Sequence, residues 1–228
     1  MTLIEAVAAR HSVRKYRDKP IPEDVLAVLT AKIKEVNEAG DLHVQLVTEE
    51  PKAYSGLITY GSFSGVRNYF VMAGKKADDL DERIGYYGEQ LVLLAQTLGL
   101  NTCWTGVSYS KVPGTYELED DEKIGCYIAL GYGETQGAGH KVKSPRDISN
   151  ASDLTPKWFN RGVDAALLAP TAVNQQKFFI EYKGLKDSKV ARVAAKPVFS
   201  MIGYSKMDLG IVKYHFELGA GKENFEWE

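Results

Sequence analysis

Apolar positions along the 228-residue chain follow helical spacing in some stretches and strand alternation in others, so the pattern predicts a mixed α and β protein. Thr2 and Glu5 stand at capping-box spacing ahead of the stripe Leu3, Ile4, Val7 and Ala8, which stops at Arg10-His11-Ser12. Ile21-Pro22-Glu23-Asp24 predicts a second helix, with Pro at its start and acids in its first turn, running through Val25, Leu26, Val28, Leu29 and Ile33 to about Val36. His43–Val47 and Tyr69–Ala73 are strand candidates, and the Gly-, Ser- and Tyr-rich stretch 56–65 between them is a surface loop. From Asp79 to Leu98, Ile84, Leu91, Leu94, Ala95 and Leu98 share one face of a long helix that Gly99 stops. Ile124–Tyr132 is almost continuously apolar, which suits a strand covered on both faces.

Beyond a polar connector, Gly137 to Pro156, the same grammar returns on a smaller scale. It gives a helix at Phe159–Leu168, strands at Phe178–Tyr182 and Val198–Ile202, and a last helix at Met207–Gly219. Tyr86–Trp104 and Met207–Trp227 each begin near a Gly, carry a helical stripe, pass a Leu-Gly pair and end at Trp, a weak internal repeat. The connector is the best boundary, dividing the chain into 1–150 and 151–228.

Composition narrows the function classes. The chain is 44% hydrophobic and 25% charged, with 21 Gly and 8 Pro, values of an ordinary globular protein. Lys plus Arg number 28 against 30 Asp plus Glu, and a net charge of −2 advertises neither a nucleic-acid nor a membrane partner. The two cysteines, Cys103 and Cys126, form no CxxC pair, and the N-terminus lacks a basic then apolar leader, so a reducing cytoplasm is the expected location. P-loop, GxGxxG, HExxH and GxSxG motifs are absent, which removes the mechanical parts of NTPases, Rossmann dehydrogenases, zincins and serine hydrolases.

Four stretches remain that can carry chemistry. In Arg10-His11-Ser12-Val13-Arg14-Lys15-Tyr16, an extended backbone puts Arg10, Ser12 and Arg14 on one face, and two guanidinium forks beside a hydroxyl suit a phosphate. A solvated basic turn has the same composition. His140-Lys141-Val142-Lys143-Ser144-Pro145-Arg146 is a second basic cluster, able to meet the first around one phosphate or to lie on a solvated face. Ala169-Pro170-Thr171-Ala172-Val173-Asn174-Gln175-Gln176 offers carboxamides, which can read the edge of a planar heterocycle or simply finish a helix. After the long helix, Asn101 to Gly106 places Trp104 and Thr105 beside a glycine that permits close backbone approach.

Taken in order, these stretches resemble the nitroreductase family of FMN-dependent oxidoreductases. The resemblance rests on Arg10-His11-Ser12-Val13-Arg14-Lys15-Tyr16, on Ala169-Pro170-Thr171 followed by Asn174 and Gln176, on Leu91 to Gly106 and on Ile128 to Lys143. It implies an α+β nitroreductase-like fold, with a mixed or antiparallel sheet, helices packed around a long central one and an internal pseudo-two-fold. In ordinary members the Pro-Ser-Asn segment directly follows the second helix. Here that place, Glu35 to Gly40, is degenerate and the signature lies far later, as in the single-chain branch described as putative TM nitroreductases. The second half then stands in for a partner subunit.

Carried over by residue, the resemblance puts Arg10, His11 and Ser12 at the flavin phosphate and ribityl chain, with Lys141 and Lys143 closing on the phosphate. Arg14 approaches the pyrimidine edge, Thr105 and Gly106 offer backbone near the ring, and Pro170, Thr171, Ala172, Asn174 and Gln176 come from the second half. Lys177 and Phe178 replace the family's usual Pro and Trp. The implied reaction passes hydride from NADH or NADPH through FMN to a small-molecule acceptor, a nitroaromatic or quinone, with no catalytic side chain and no metal. A flavin binder without turnover, dehalogenation and flavin breakdown are the rival uses of such a site. The chain is expected to act as a monomer or pseudo-dimer, an exchanged homodimer being the competing arrangement.

Overall fold

A computed structural model describes residues 1–56, 59, 61–185 and 190–228, so part of the loop 56–65 lies outside the described residues. The Thr2–Glu5 capping box opens helix α1 (Leu3–Ala9), and Arg10 N–H closes it on the Ala6 carbonyl. Helix α2 (Glu23–Gly40) runs past Val36 to Gly40. The extension holds because Arg83 donates to the Gly40 and Asp41 carbonyls at 2.6 and 2.7 Å, and Asp41 turns left-handed as the cap.

Strands β1 (Gln45–Val47), β2 (Asn68–Lys75), β3 (Asn101–Thr105) and β4 (Glu122–Gly131) form an antiparallel sheet in the order β1-β2-β4-β3. β2 and β4 are the inner pair, with Tyr69 opposite Ala129 and Phe70 opposite Ile128. Their burial on both faces accounts for the continuous apolar run read at Ile124–Tyr132. Asn101–Thr105 is an edge strand that the periodicity does not announce. Helix α3 (Leu80–Thr97) ends on Gly99 at φ +79° and feeds directly into it.

A short helix α4 (Pro145–Ile148), started by the Ser144–Asp147 capping box, interrupts the connector ahead of α5 (Lys157–Leu167). A second sheet follows, β5 (Phe178–Gly184), β6 (Ala191–Pro197) and β7 (Phe225–Trp227). β5–β6 is antiparallel and β6–β7 parallel, with helix α6 (Ser205–Ala220) between β6 and β7. The expected strand at Val198–Ile202 is therefore corrected: the strand is Ala191–Pro197, and the run after it is loop and turn. Its side chains are apolar but open to solvent, Phe199 at 84% and Met201 at 94% exposure, and Pro197 brings no N–H to extend the ladder.

The two sheets flank a central pair of helices, α3 and α6. One core packs α2 and α3 on the first sheet through Leu29, Leu91, Phe70 and Ile128. The opposite face of that sheet packs Val13, Tyr16, Tyr54 and Tyr127. A third cluster packs α5 and α6 on the second sheet through Phe159, Phe178 and Phe216. α1 is pinned through Val7 to Leu93 of α3 and Ala165 of α5, with Tyr214 and Leu218 of α6 packed against them. The result is an α+β architecture with one antiparallel and one mixed sheet. Among the described residues no helix is long and apolar enough to cross a membrane.

Candidate functional site

The cationic strip leaves α1 as extended chain along β3. Val13 N–H donates to the Thr102 carbonyl at 3.0 Å, and Ser64 accepts Tyr16 N–H and donates its own N–H to the Arg14 carbonyl, both at 2.9 Å. Val13 and Tyr16 point into the core, Tyr16 donating its hydroxyl to the Val13 carbonyl at 2.7 Å. Alternation on either side of Val13 turns Ser12 and Arg14 the other way, into a cavity of about 410 Å³. Arg10 leads the strip almost completely enclosed, at 3% exposure, with its Nε 3.8 Å from Glu89 Oε1 and without a hydrogen-bond partner. Burial lowers the Arg10 pKa, Glu89 and Cys103 opposing. His11 is half-buried beside Gly137, and burial, then Arg10 and His140, lower its imidazole pKa.

The facing wall comes from the far end of the chain. After α5, Pro170, Thr171 and Ala172 line the cavity. The loop turns sharply there, with φ of +45° at Val173, +56° at Asn174 and +46° at Gln176, left-handed values that non-glycine residues adopt only where surrounding bonds hold them. Those bonds are present. Asn174 Nδ2 and Gln176 Nε2 donate to the Lys141 carbonyl at 2.8 and 2.9 Å, and Gln176 Oε1 accepts from Lys143 N–H at 2.9 Å. The Lys143 ammonium donates to the Gln175 and Gln176 carbonyls at 3.1 and 2.7 Å, which leaves one of its three donors free.

Asp208, in the first turn of α6, braces the loop from below. It accepts Ala172 N–H at 2.9 Å and Gln175 Nε2–H at 2.6 Å, and Gln175 in turn is held by Ser200 and the Gly203 carbonyl. Burial pushes the Asp208 carboxyl up to about 6 against these two bonds. The third wall is the end of β3. Thr105 Oγ1 lies 2.7 Å from the Tyr54 hydroxyl, and Gly106 leaves room for the Tyr204 ring, which a Cβ there would approach to 2.6 Å. Trp104 completes the wall, its indole N–H donating to Glu89 Oε2 at 2.9 Å.

Ser12, Arg14, Thr105, Gly106, Pro170, Thr171 and Ala172 are thus brought together around one space. Arg10, His11, Lys141, Lys143, Asn174 and Gln176 do not line it. Arg10 is enclosed beside Glu89, and Asn174 and Gln176 knit the loop to the 141–143 segment. Asp208, Tyr204, Ile202, Phe63 and Val107 also line the cavity, and sequence reasoning missed them. Asp208 carries no distinguishing signal, because an acid in the first turn of a helix is ordinary. A larger, more open hollow of about 790 Å³ lies on the other side of Phe63, lined by Lys15, Tyr54, Ser64 and Arg67. The smaller cavity is the better candidate site because it gathers groups from both ends of the chain.

Burial of a guanidinium with an orphaned Nε and one carboxylate at a distance calls for a further anionic partner. Ser12 and Arg14 are cavity donors of the kind an anion needs, and the cavity has the volume of an ordinary cofactor site. The residues present therefore fit a phosphorylated planar cofactor such as FMN.

A family model described as putative TM nitroreductase matches residues 2–220. Among solved structures, a protein described as a putative nitroreductase from Thermotoga maritima superposes with a TM-score of 0.67 at 23% identity, over 98% of this chain and 85% of that one. A protein described as a putative nitroreductase from Desulfovibrio desulfuricans, solved in complex with FMN, gives 0.52 at 14% identity over 68% and 99%. A nitroreductase family protein from Clostridium difficile gives 0.51 at 15% over 67% and 99%. These likenesses are of fold. Among curated proteins none matches.

Proposed function

We propose that this chain, which belongs to the putative TM nitroreductase family, is an FMN-dependent oxidoreductase that takes hydride from NADH or NADPH and gives it to a flat, electron-poor acceptor such as a nitroaromatic or quinone. Family membership supports the oxidoreductase role. The observation that carries the finer reading is the single cavity where Ser12 and Arg14 of the strip face Pro170, Thr171 and Ala172 of the distant loop.

In this reading Arg10, His11, Ser12, Lys141 and Lys143 hold the phosphate and ribityl end of FMN. Arg14 meets the pyrimidine edge, Thr105 and Gly106 present backbone to the ring, and Pro170, Thr171 and Ala172 supply the opposite wall on the loop that Asn174 and Gln176 hold. Bound FMN supplies the two-electron chemistry, so the protein needs no nucleophile of its own. Arg14 contributes a fixed cation where negative charge would collect, and a preoriented charge in a partly dry site is worth more than the same charge in water. Asp208 keeps the loop in place through Ala172 and Gln175. Residues 1–150 act as the half with the strip and 151–228 as the half that replaces a partner subunit. The two cysteines are free and buried, in keeping with a reducing cytoplasm.

The visible spectrum of the purified protein, with titrations of FMN and riboflavin, tests the reading. The expected result is a flavin spectrum and binding of FMN at least about tenfold tighter than riboflavin, since a charge-assisted phosphate bond contributes roughly 1.5–3 kcal/mol. Equal affinity for the two, or binding of neither, would reject it. Steady-state NAD(P)H oxidation then separates an enzyme from a flavin binder.

A further inference from the structure

Glu89 lies in the middle of α3 with no exposed surface. Enclosing a charged carboxylate is costly unless donors surround it, and an apolar side chain of similar size would fill the space without that cost. An indole N–H, an imidazole nitrogen and a guanidinium converge on it from three other parts of the chain. Oε2 accepts Trp104 Nε1–H at 2.9 Å, while Oε1 lies 2.8 Å from His215 Nε2 on α6 and 3.8 Å from Arg10 Nε at the head of the strip. His215 is itself fixed from its other side, Nδ1 lying 3.2 Å from the Ala165 carbonyl of α5.

The neighbouring residue shares in this arrangement. Gly88 leaves the gap that receives the six-membered edge of Trp104, where a Cβ would come within 2.5 Å of Cη2. Gly88 and Glu89 therefore hold the indole at both ends, one by space and one by a hydrogen bond. Trp104 lines the cavity, and Arg10 precedes Ser12 and Arg14 on the same extended strip. One buried carboxylate thus touches a wall of the cavity and the base of its cationic strip.

We infer that Glu89 is a positioning residue of the site: through one carboxylate it fixes the Trp104 indole in the cavity wall and the Arg10 guanidinium behind it, and so sets how tightly the protein holds an anionic group such as the FMN phosphate. The affinity part rests on the FMN reading above; the positioning part does not. Toward the anionic group Glu89 acts through Arg10, so in the affinity measurement the two residues act as a unit.

The test uses the full chain and Glu89→Gln, which keeps the size and removes the charge. Without ligand, the ¹H–¹⁵N indole resonance of Trp104, assigned by its loss in Trp104→Phe, is expected to shift and to exchange faster with solvent. With FMN followed by flavin fluorescence, Glu89→Gln and Arg10→Met are each expected to weaken binding about tenfold, and the double variant no more than either alone. An unmoved resonance, wild-type affinity in Glu89→Gln, or losses that multiply in the double variant would overturn the inference. Should Glu89→Gln fail to fold, Arg10→Met decides, because removing one of the donors that share the carboxylate must move the Trp104 resonance if the inference holds. Wild-type protein that does not bind FMN would reject the functional reading, and the ligand-free resonance would still decide the positioning role.

Discussion

Gly85 of α3 and Gly210 of α6 cross back to back: a Cβ on Gly85 would overlap the Met207 carbonyl, and a Cβ on Gly210 would overlap the Glu82 carbonyl. The contact is reciprocal, each helix placing its glycine against the backbone of the other. Backbone cannot move aside as a side-chain tip can. Gly85→Ala and Gly210→Ala are each expected to destabilise by about 1–3 kcal/mol, even though Ala gains roughly 1 kcal/mol over Gly in helix propensity. Thermal denaturation checks this, with an expected fall of about 2–4 °C per kcal/mol at this size. A rise in melting temperature would mean that the helices can part at no cost.

That crossing also marks how far the sequence could be read. Stripes and caps were legible where one face meets one core, so α1, α3, α5 and α6 lie close to their expected ranges. The cationic strip was legible because an extended chain separates Val13 from Ser12 and Arg14 by simple alternation, whereas the burial of Tyr16, which shares their parity, was not. Glu89 and Asp208 were not, since a carboxylate within a helical pattern has the same signature whether it faces water or a buried donor. β6 was displaced for a related reason. Ala191–Pro197 is weakly apolar and buried at alternate positions, whereas Val198–Ile202 is strongly apolar and exposed at the rim of the cavity.

Asp208 predicts a pH dependence. Its folded carboxyl titrates near 6, raised by burial from an unfolded value near 4. A raised carboxyl binds its proton more tightly in the folded state, so its contribution is present below pH ~4 and lost as pH rises to ~6. Asp208→Asn removes this dependence. The stability of the variant relative to wild type should therefore move in the variant's favour by up to about 3 kcal/mol between pH 4 and 7. Urea denaturation of both proteins across that range is the measurement, and a constant difference would show that the carboxyl does not titrate there.

Val173 predicts a gain instead. A β-branched residue at φ +45° and ψ +28°, with 78% of its surface exposed, bears backbone strain without the packing that would repay it. Val173→Gly is expected to stabilise by about 1 kcal/mol, less the chain entropy that glycine adds to the unfolded state. A melting temperature equal to or below that of wild type would indicate that the bonds through Asn174 and Gln176 already relieve the turn.

Stoichiometry follows from the origin of the two walls. Ser12 and Arg14 face Pro170, Thr171 and Ala172 within one chain, so both walls of the cavity come from a single polypeptide. A second, pseudo-symmetric site would lack its strip, because Lys157-Trp158-Phe159-Asn160-Arg161-Gly162 offers one Arg and is wound into α5. One FMN per chain is therefore expected, including in protein diluted to the monomer and sized by ultracentrifugation. The competing arrangement exchanges the loop between two chains, and complementation separates the two. Arg10→Ala removes the head of the strip, and Asn174→Ala removes a bond from the loop to the Lys141 carbonyl. If each cavity is built within one chain, every chain in a co-refolded mixture carries one defect, and FMN binding stays at the level of the separate variants. If loops are exchanged, some cavities pair an intact strip with an intact loop. Binding would then recover in up to about a quarter of the cavities by random pairing of two equal populations, and that recovery would exclude the single-chain cavity.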